Sequence, residues 1–184
     1  MTTATALGPA VEISESVIDR AQRGDQEAFA AVIRHYDPGL RALSFRLLGD
    51  RDLMDDVLQE AYVKAFKALP RFRRQAKLGT WLYRIAYNAC LDELRRTRRA
   101  DELPLDERVP SRTADPGELV AGRGDLARAL AALPPEDRAA VLLVDAQGFD
   151  YRETARVLGI PEGTVASRLN RARASLRTAL GSAA

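Results

Sequence analysis

Residues 151–177 read "YRETARVLGIPEGTVASRLNRARASLR", and their pattern decides the fold. Residues 151–158 have the spacing of a short amphipathic helix, with Ala155 where close helix packing needs a small side chain. Gly159 ends it, because a tight turn into a second helix needs a positive φ. Pro161 suits the opening of the next helix, where Val165, Leu169, Ala172 and Leu176 recur as an apolar stripe on a 3.6-residue period. Arg168, Arg171, Arg173 and Arg177 lie off that stripe, and no acidic residue follows Glu162. One face wants a core and the rest wants an anion. Ala155, Gly159 and Val165, spaced around a glycine turn, predict a helix-turn-helix. In such a unit the second helix enters a DNA major groove, its N-terminal residues at base edges and its arginines on bases and phosphates. For that helix taken alone, a solvated basic face is the competing reading.

Composition bounds the rest of the 184-residue chain. A hydrophobic content of 46% permits folded cores, and the formal net charge is only +2. A nucleic-acid surface must therefore come from local clustering. The clusters are "RRTRR" at residues 95–99 and the acid-free segment from Gly163 onward. Between Asp101 and Glu118, six acidic residues face two arginines, so an acidic connector separates two basic blocks. The single cysteine, Cys90, excludes an intramolecular disulfide and a multi-cysteine metal site, as expected of a reducing cytoplasm. The N-terminal stretch lacks the basic region and apolar run of a signal peptide, and no segment approaches a membrane span.

Nearly every periodic segment has a helical period, which predicts an all-α chain. After a tail at residues 1–13, a short helix spans about residues 14–23. Gly24 breaks it, and Asp25 caps a longer helix carrying Phe29, Val32, Ile33, Tyr36, Leu40, Leu43 and Leu47. That stripe keeps register across Pro38, predicting a kink and no break. A third helix, about residues 52–69, buries Val57, Leu58, Ala61, Tyr62, Ala65 and Phe66. The loop "PRFRRQAKLG" leads to a fourth, with Thr80 as its cap. Residues 14–99 thus form a helical bundle. Residues 100–124, rich in charge and proline without a sustained apolar period, read as a flexible linker. Residues 125–184 form the second small helical domain, which ends in the helix-turn-helix.

No phosphate-binding loop, dinucleotide fingerprint, zinc-protease motif, paired cysteines or nucleophile elbow occurs, so the chain reads as no enzyme and as needing no cofactor or metal. His35 and Cys90 read as structural. "DLMDDVLQE" places Asp52, Asp55, Asp56, Gln59 and Glu60 on the polar side of the third helix. With no histidine or second carboxylate helix to complete it, this face is poor for metal or acid-base chemistry, and it suits protein docking or plain solvation. The fourth helix combines Trp81, expected in the core, with Arg84, Asn88, Arg95 and Arg96 facing out. Arg71, Arg73, Arg74 and Lys77 in the preceding loop add a cationic rim. Aromatic residues beside exposed cations and an amide suit unstacked bases better than duplex.

Three segments together, "DDVLQEAYVKAFKALPRF", "GTWLYRIAYNACLDELRR" and "LPPEDRAAVLLVDAQGFDYRETARVLGIPEGTVASRLNRARASLR", resemble the bacterial extracytoplasmic-function (ECF) sigma factors of the sigma-70 family. The resemblance covers about residues 25–99 and 125–180. It implies a cytoplasmic factor that binds core RNA polymerase and promoter DNA and directs promoter-specific initiation. Asp56, Gln59 and Glu60 match the family's D-x-x-Q-E, whose face docks on the polymerase clamp helices, with Asp52 and Asp55 as neighbours. The fourth helix and its loop match the part that melts and captures the −10 element, which would place Arg71, Arg73, Arg74, Lys77, Arg84, Asn88, Arg95 and Arg96 near the non-template strand. The helix-turn-helix matches the −35 reader, with Arg152, Glu162, Gly163, Thr164, Ser167, Arg168, Arg171 and Arg173 at the groove. Relatives often carry an acidic or serine-rich stretch after the Arg-Phe pair, whereas this chain has "RRQAKL". Such factors are commonly held inactive by a partner protein, an anti-sigma factor. The alternatives from other classes are a self-sufficient repressor or activator, whose N-terminal bundle dimerises or senses a ligand, and an enzyme with an accessory DNA module.

Overall fold

The structure, a computed structural model, describes residues 13–101 and 124–181. These fold into eight α-helices, with no strand among them. The first four are α1 (Glu15–Gln22), α2 (Gln26–Leu48), α3 (Arg51–Ala68) and α4 (Leu78–Asp101); a single 3-10 turn, Leu69–Arg71, follows α3. The second four are α5 (Gly124–Ala131), α6 (Pro135–Val141), α7 (Tyr151–Leu158) and α8 (Glu162–Gly181), with a π-helical turn, Leu142–Ala146, after α6.

Short polar side chains fix where the helices begin, because the first N–H groups of a helix have no partner within it. Asp25 accepts from the Ala28 N–H at 3.0 Å and Asp50 from that of Leu53 at 2.9 Å. That bond, and then the Arg20 guanidinium, hold the Asp25 carboxyl below its usual range. Asp150 starts α7 with a reciprocal box: it accepts from the Glu153 N–H at 2.7 Å, while the Glu153 carboxylate accepts from the Asp150 N–H at 3.2 Å. Asp150→Ala removes this box and is expected to destabilise the chain by about 1 kcal/mol, lowering its melting temperature by roughly 2–4 °C. A thermal melt followed by circular dichroism checks this.

Pro38 lies inside α2, which runs unbroken across it. The next residue, Gly39, allows a close approach from α4: a Cβ built there would lie 1.9 Å from the Tyr83 hydroxyl. Two expectations need correction. Helix α4 starts at Leu78 and not at Thr80, because buried Leu78 draws the chain into the core two residues earlier and the Trp81 N–H already bonds to the Lys77 carbonyl. Thr80 is an interior residue only 3% exposed. Tyr62 and Phe66, expected in the core, are half-buried and line an open groove between α2 and α3. Helix α4 also continues to Asp101; of the linker expected at 100–124, residues 102–123 lie outside those described, as do residues 1–12 and 182–184.

The core has two parts. One, around Ile18, Ala28, Val32, Ala65, Leu69 and Leu82, joins α1 to the rest of the N-terminal half. The other crosses between halves: Leu40, Leu43 and Leu47 of α2 and Tyr83, Tyr87 and Cys90 of α4 form one cluster with Leu143, Val157, Val165 and Leu169. Burying such a leucine or valine contributes about 1.5–3 kcal/mol. The two helical domains are therefore packed together, and α7 lies along α4.

Candidate nucleic-acid and protein interfaces

Helix α3 turns Met54, Val57, Leu58, Ala61 and Ala65 inward, which leaves its acidic residues outside. Asp52, Asp55, Asp56, Gln59 and Glu60 are all exposed. Asp55 pairs with Arg41 of α2 at 2.5 Å, and Glu60 stands 3.9 Å from Lys64 one turn on. Beneath this face the Tyr62 hydroxyl donates to Asp37 at 2.7 Å; burial and that carboxylate push the phenol pKa up, so it stays a donor. Beside it the groove, about 510 Å³, exposes apolar surface from Phe29, Val63 and Phe66, with buried Leu58 at its base. Val63 is 48% exposed, which its neighbours in the sequence did not announce. The face offers negative charge next to a shallow apolar slot, a combination suited to a protein partner.

The second surface is α4 with its preceding loop. Tyr83, Tyr87 and Cys90 point into the core, so Arg84 and Asn88 are exposed on the opposite side. Burial raises the pKa of both tyrosines and pushes the Cys90 thiol up to about 11, consistent with an unreactive cysteine. Trp81 is half-buried against Phe72, ring centroids 5.0 Å apart. Arg95 and Arg96 are exposed but lean on acids of their own helix, Asp92 at 3.5 Å and Glu93 at 2.7 Å. In the loop, Arg71 and Arg73 are exposed and make no ion pair among the described residues. Lys77 reaches Glu153 of α7 at 3.1 Å. Arg74 is turned back toward α1, where it pairs with Glu15 and Asp19.

The third surface is the helix-turn-helix. Gly159 sits at φ +67, a left-handed turn, and its N–H bonds to the Ala155 carbonyl. Val165, Leu169 and Ala172 are buried as the stripe required. Glu162, Gly163, Ser167 and Arg152 are exposed and Thr164 is half-buried; a Cβ at Gly163 would meet nothing within 4 Å. Ser167 donates to the Thr164 carbonyl at 2.9 Å, and Arg152 lies 3.6 Å from Glu162. The arginines are not loose. Buried Asp137 of α6 takes Arg171 through two bonds, at 3.0 and 3.3 Å, with Arg168 at 4.0 Å. Asp145 takes Arg173 at 2.6 and 3.1 Å, which holds that guanidinium above its usual pKa.

Several residues that sequence reasoning missed form the joint between halves. Arg138 of α6 donates to the carbonyls of Arg46 and Leu47 at the end of α2, at 3.1 and 3.3 Å, and to that of Leu133 in its own half at 2.9 Å. A cation at a helix C-terminus meets the negative end of its dipole. The Tyr83 hydroxyl donates to Gln147 at 2.9 Å and its ring packs on Phe149, centroids 4.8 Å apart. Arg168, only 20% exposed, lies against the Tyr87 hydroxyl of α4. Arg138, directly before the apolar run "AAVLLV", was the one signal of this joint in the sequence.

No group of three or more His, Cys, Asp or Glu side chains is placed to hold a metal, and no helix is long and apolar enough to cross a membrane, among the described residues. An exposed acidic face, a cationic aromatic helix and a helix-turn-helix on one chain make up the surfaces that the sequence predicted for a DNA-binding protein that works with a protein partner. Residues 26–100 match the family model for Sigma-70 region 2 and residues 123–176 that for Sigma-70 region 4. The ECF RNA polymerase sigma factor SigM of Mycobacterium tuberculosis is 42% identical over 160 residues, 86% of this chain and 80% of the relative. The ECF RNA polymerase sigma-E factor of Escherichia coli is 34% identical over 173 residues, 87% and 90% of the two chains. Among solved structures, CnrH in complex with the cytosolic domain of CnrY aligns with a TM-score of 0.70 at 28% identity, over 92% of this chain and 97% of that one. RpoE in complex with the anti-sigma factor NepR from Bartonella quintana aligns at 0.69 and 28%, over 83% and 96%. The chain belongs to the sigma-70 family, in its extracytoplasmic-function group. It is an alternative sigma factor, a non-enzymatic protein that joins core RNA polymerase and directs promoter-specific initiation.

Proposed function

We propose that the division of labour follows the three surfaces. Asp52, Asp55, Asp56, Gln59 and Glu60 of α3 dock on the polymerase clamp. Arg71, Arg73, Lys77, Arg84, Asn88, Arg95 and Arg96 engage the −10 region once unstacked, while Arg74, expected among them, is turned onto α1. Arg152, Glu162, Gly163, Thr164, Ser167, Arg168, Arg171 and Arg173 read the −35 duplex, and residues 100–124 link the two units. The observation that carries this reading is the segregation of charge: α3 offers acids outward, which repel DNA, while α4 and α8 carry the cations. Binding energy alone opens the duplex, since capturing a flipped base offsets an unstacking cost of about a few kcal/mol. The site of action is the cytoplasm, where polymerase and promoter are.

Arg168 lies against Tyr87 and Lys77 against Glu153, so these two side chains become free for DNA only when α7 and α8 move away from α4, whereas Arg71, Arg73, Arg84 and Asn88 are already exposed. The similar RpoE, solved with the anti-sigma factor NepR, supports an inhibitory partner for this chain as well. The decisive experiment adds the purified chain to sigma-free bacterial core polymerase and maps transcription starts on genomic DNA. Starts that share −35 and −10 elements are expected; tight palindromic binding without polymerase, and no starts, would support a self-sufficient regulator instead. Within the polymerase-bound form, where closure does not enter, Arg168→Ala is expected to lose about 1–3 kcal/mol of discrimination at one −35 position. Open-complex formation on matched and mutated −35 promoters measures it.

A further inference from the structure

Three polar residues of α1, Glu15, Asp19 and Gln22, lie one helical turn apart along a single stripe, and all three face the loop between α3 and α4. Gln22 works in both directions. Its amide donates to the Phe72 carbonyl at 2.9 Å and to the Leu69 carbonyl at 3.3 Å, while its oxygen accepts from Arg74 at 2.7 Å. The same guanidinium pairs with Glu15 and Asp19. Arg74 has φ +54, the sole positive φ at a non-glycine among the described residues. A side chain with a Cβ takes that conformation only where its surroundings over-determine it. Here the α1 stripe does so. Meanwhile Arg71 and Arg73, on either side of Phe72, stay exposed without an ion pair among the described residues.

We propose that α1 is a template for the −10 loop. Glu15, Asp19 and Gln22 hold Arg74 as a positioning residue, which fixes the shape in which Arg71 and Arg73 meet the unstacked strand and so sets the −10 base preference. The inference rests on the reading of this loop as part of the −10 surface. Arg74 is assigned no DNA contact, because both terminal nitrogens of its guanidinium are engaged by α1.

The test uses the full chain bound to core polymerase, on promoters that differ only at −10 positions, with binding to a single-stranded −10 oligonucleotide measured across salt concentrations. The double variant Glu15→Gln/Asp19→Asn keeps the shape of both exposed side chains and is expected to flatten the ratio between best and worst −10 promoters at least fivefold. Core affinity and −35 preference stay unchanged. Arg74→Gln is expected to flatten the ratio equally and to leave the salt slope alone, whereas Arg73→Gln lowers that slope by about 0.7, the single-strand value for one lost phosphate contact. Exchanging the charges, Asp19→Arg with Arg74→Glu, is expected to restore the preference, which no direct phosphate contact could do. If Arg74→Gln lowers the slope as Arg73→Gln does, and Glu15→Gln/Asp19→Asn tightens DNA binding by releasing the guanidinium, Arg74 is a DNA contact and the template is wrong. If Arg73→Gln and Arg71→Gln also leave −10 preference and slope untouched, it is the assignment of the loop to the −10 element that fails, and the template with it.

Discussion

Reversing two charges on α3, Asp56→Arg with Glu60→Lys, is expected to weaken binding to core RNA polymerase by at least about a hundredfold while the chain remains folded. Both side chains are exposed and neither caps a helix, so the fold asks little of them. Surface changes of this kind usually alter stability by no more than about 0.5 kcal/mol. Glu60 feels Arg96 of α4, and a lysine there places like charges near each other; solvent screening keeps that term small. At an interface the balance differs. Close charge pairs couple by about 1.5–7 kcal/mol, and reversal adds repulsion to the lost attraction. Two such positions give roughly 3 kcal/mol or more, which corresponds to the hundredfold loss. Fluorescence anisotropy with labelled chain and core polymerase reads the affinity, and a thermal melt confirms the fold. Binding to an isolated −35 duplex should not change, because α8 lies in the other half. Normal core affinity in this variant would move the docking surface elsewhere, with the apolar groove around Val63 as the next place to probe.

The helix-turn-helix was legible because its signals are local. Gly159 and Pro161 mark a turn, and the period of Val165, Leu169 and Ala172 marks a buried stripe. The α2 stripe across Pro38 was readable for the same reason, since seven apolar positions in register outweigh one missing N–H. The start of α4 was not, because Leu78 joins the helix for a tertiary contact that no cap announces. Tyr62 and Phe66 fit the apolar period of α3, yet periodicity says which face is apolar and not how deeply a neighbour covers it. Pairing of the arginines was equally hidden: Asp137 and Asp145 lie 34 and 28 residues from their partners Arg171 and Arg173, and Arg74 is 55 residues from Asp19. A local reading counts these cations as available to DNA, whereas folding commits each to an acid first. Packing of one half on the other had even less of a signature, because hydrophobic stripes on α2, α4 and α7 could each have been satisfied within their own half.

That packing carries the other large expectation, at Gly39. Adding a methyl group there, Gly39→Ala, puts a carbon 1.9 Å from the Tyr83 hydroxyl oxygen and 3.2 Å from the ring carbon that bears it. The ring is rigid and buried, so it has to move as a body. Any such movement disturbs its contacts with Gln147 and Phe149 across the joint, and Gln147 Oε1 itself lies 2.9 Å from the added carbon. Overpacking of this kind costs about 1–3 kcal/mol, partly offset by alanine's better helix propensity of about 1 kcal/mol. The clash lies within the N-terminal half, but the ring it displaces packs on Gln147 and Phe149 of the other half, so it is relieved more easily once the halves separate and the open form is favoured. A chain whose binding-competent form is rare binds more weakly by that rarity, and each 1.4 kcal/mol removed from closure raises the apparent affinity about tenfold until the open form dominates. Free Gly39→Ala chain is therefore expected to bind a −35 duplex about tenfold more tightly than the parent, with a larger radius of gyration in small-angle scattering. Polymerase-bound promoter preference should not change if, as proposed, α8 has left α4 in that form. The closest clash is with the hydroxyl, with Gln147 Oε1 next at 2.9 Å, so Tyr83→Phe should absorb part of the effect: Gly39→Ala in that background is expected to add less than it does alone, a coupling that a double-mutant cycle reads directly. A Gly39→Ala chain that melts earlier but binds the −35 duplex no better would mean that the joint stabilises the free protein without hiding Arg168 from DNA.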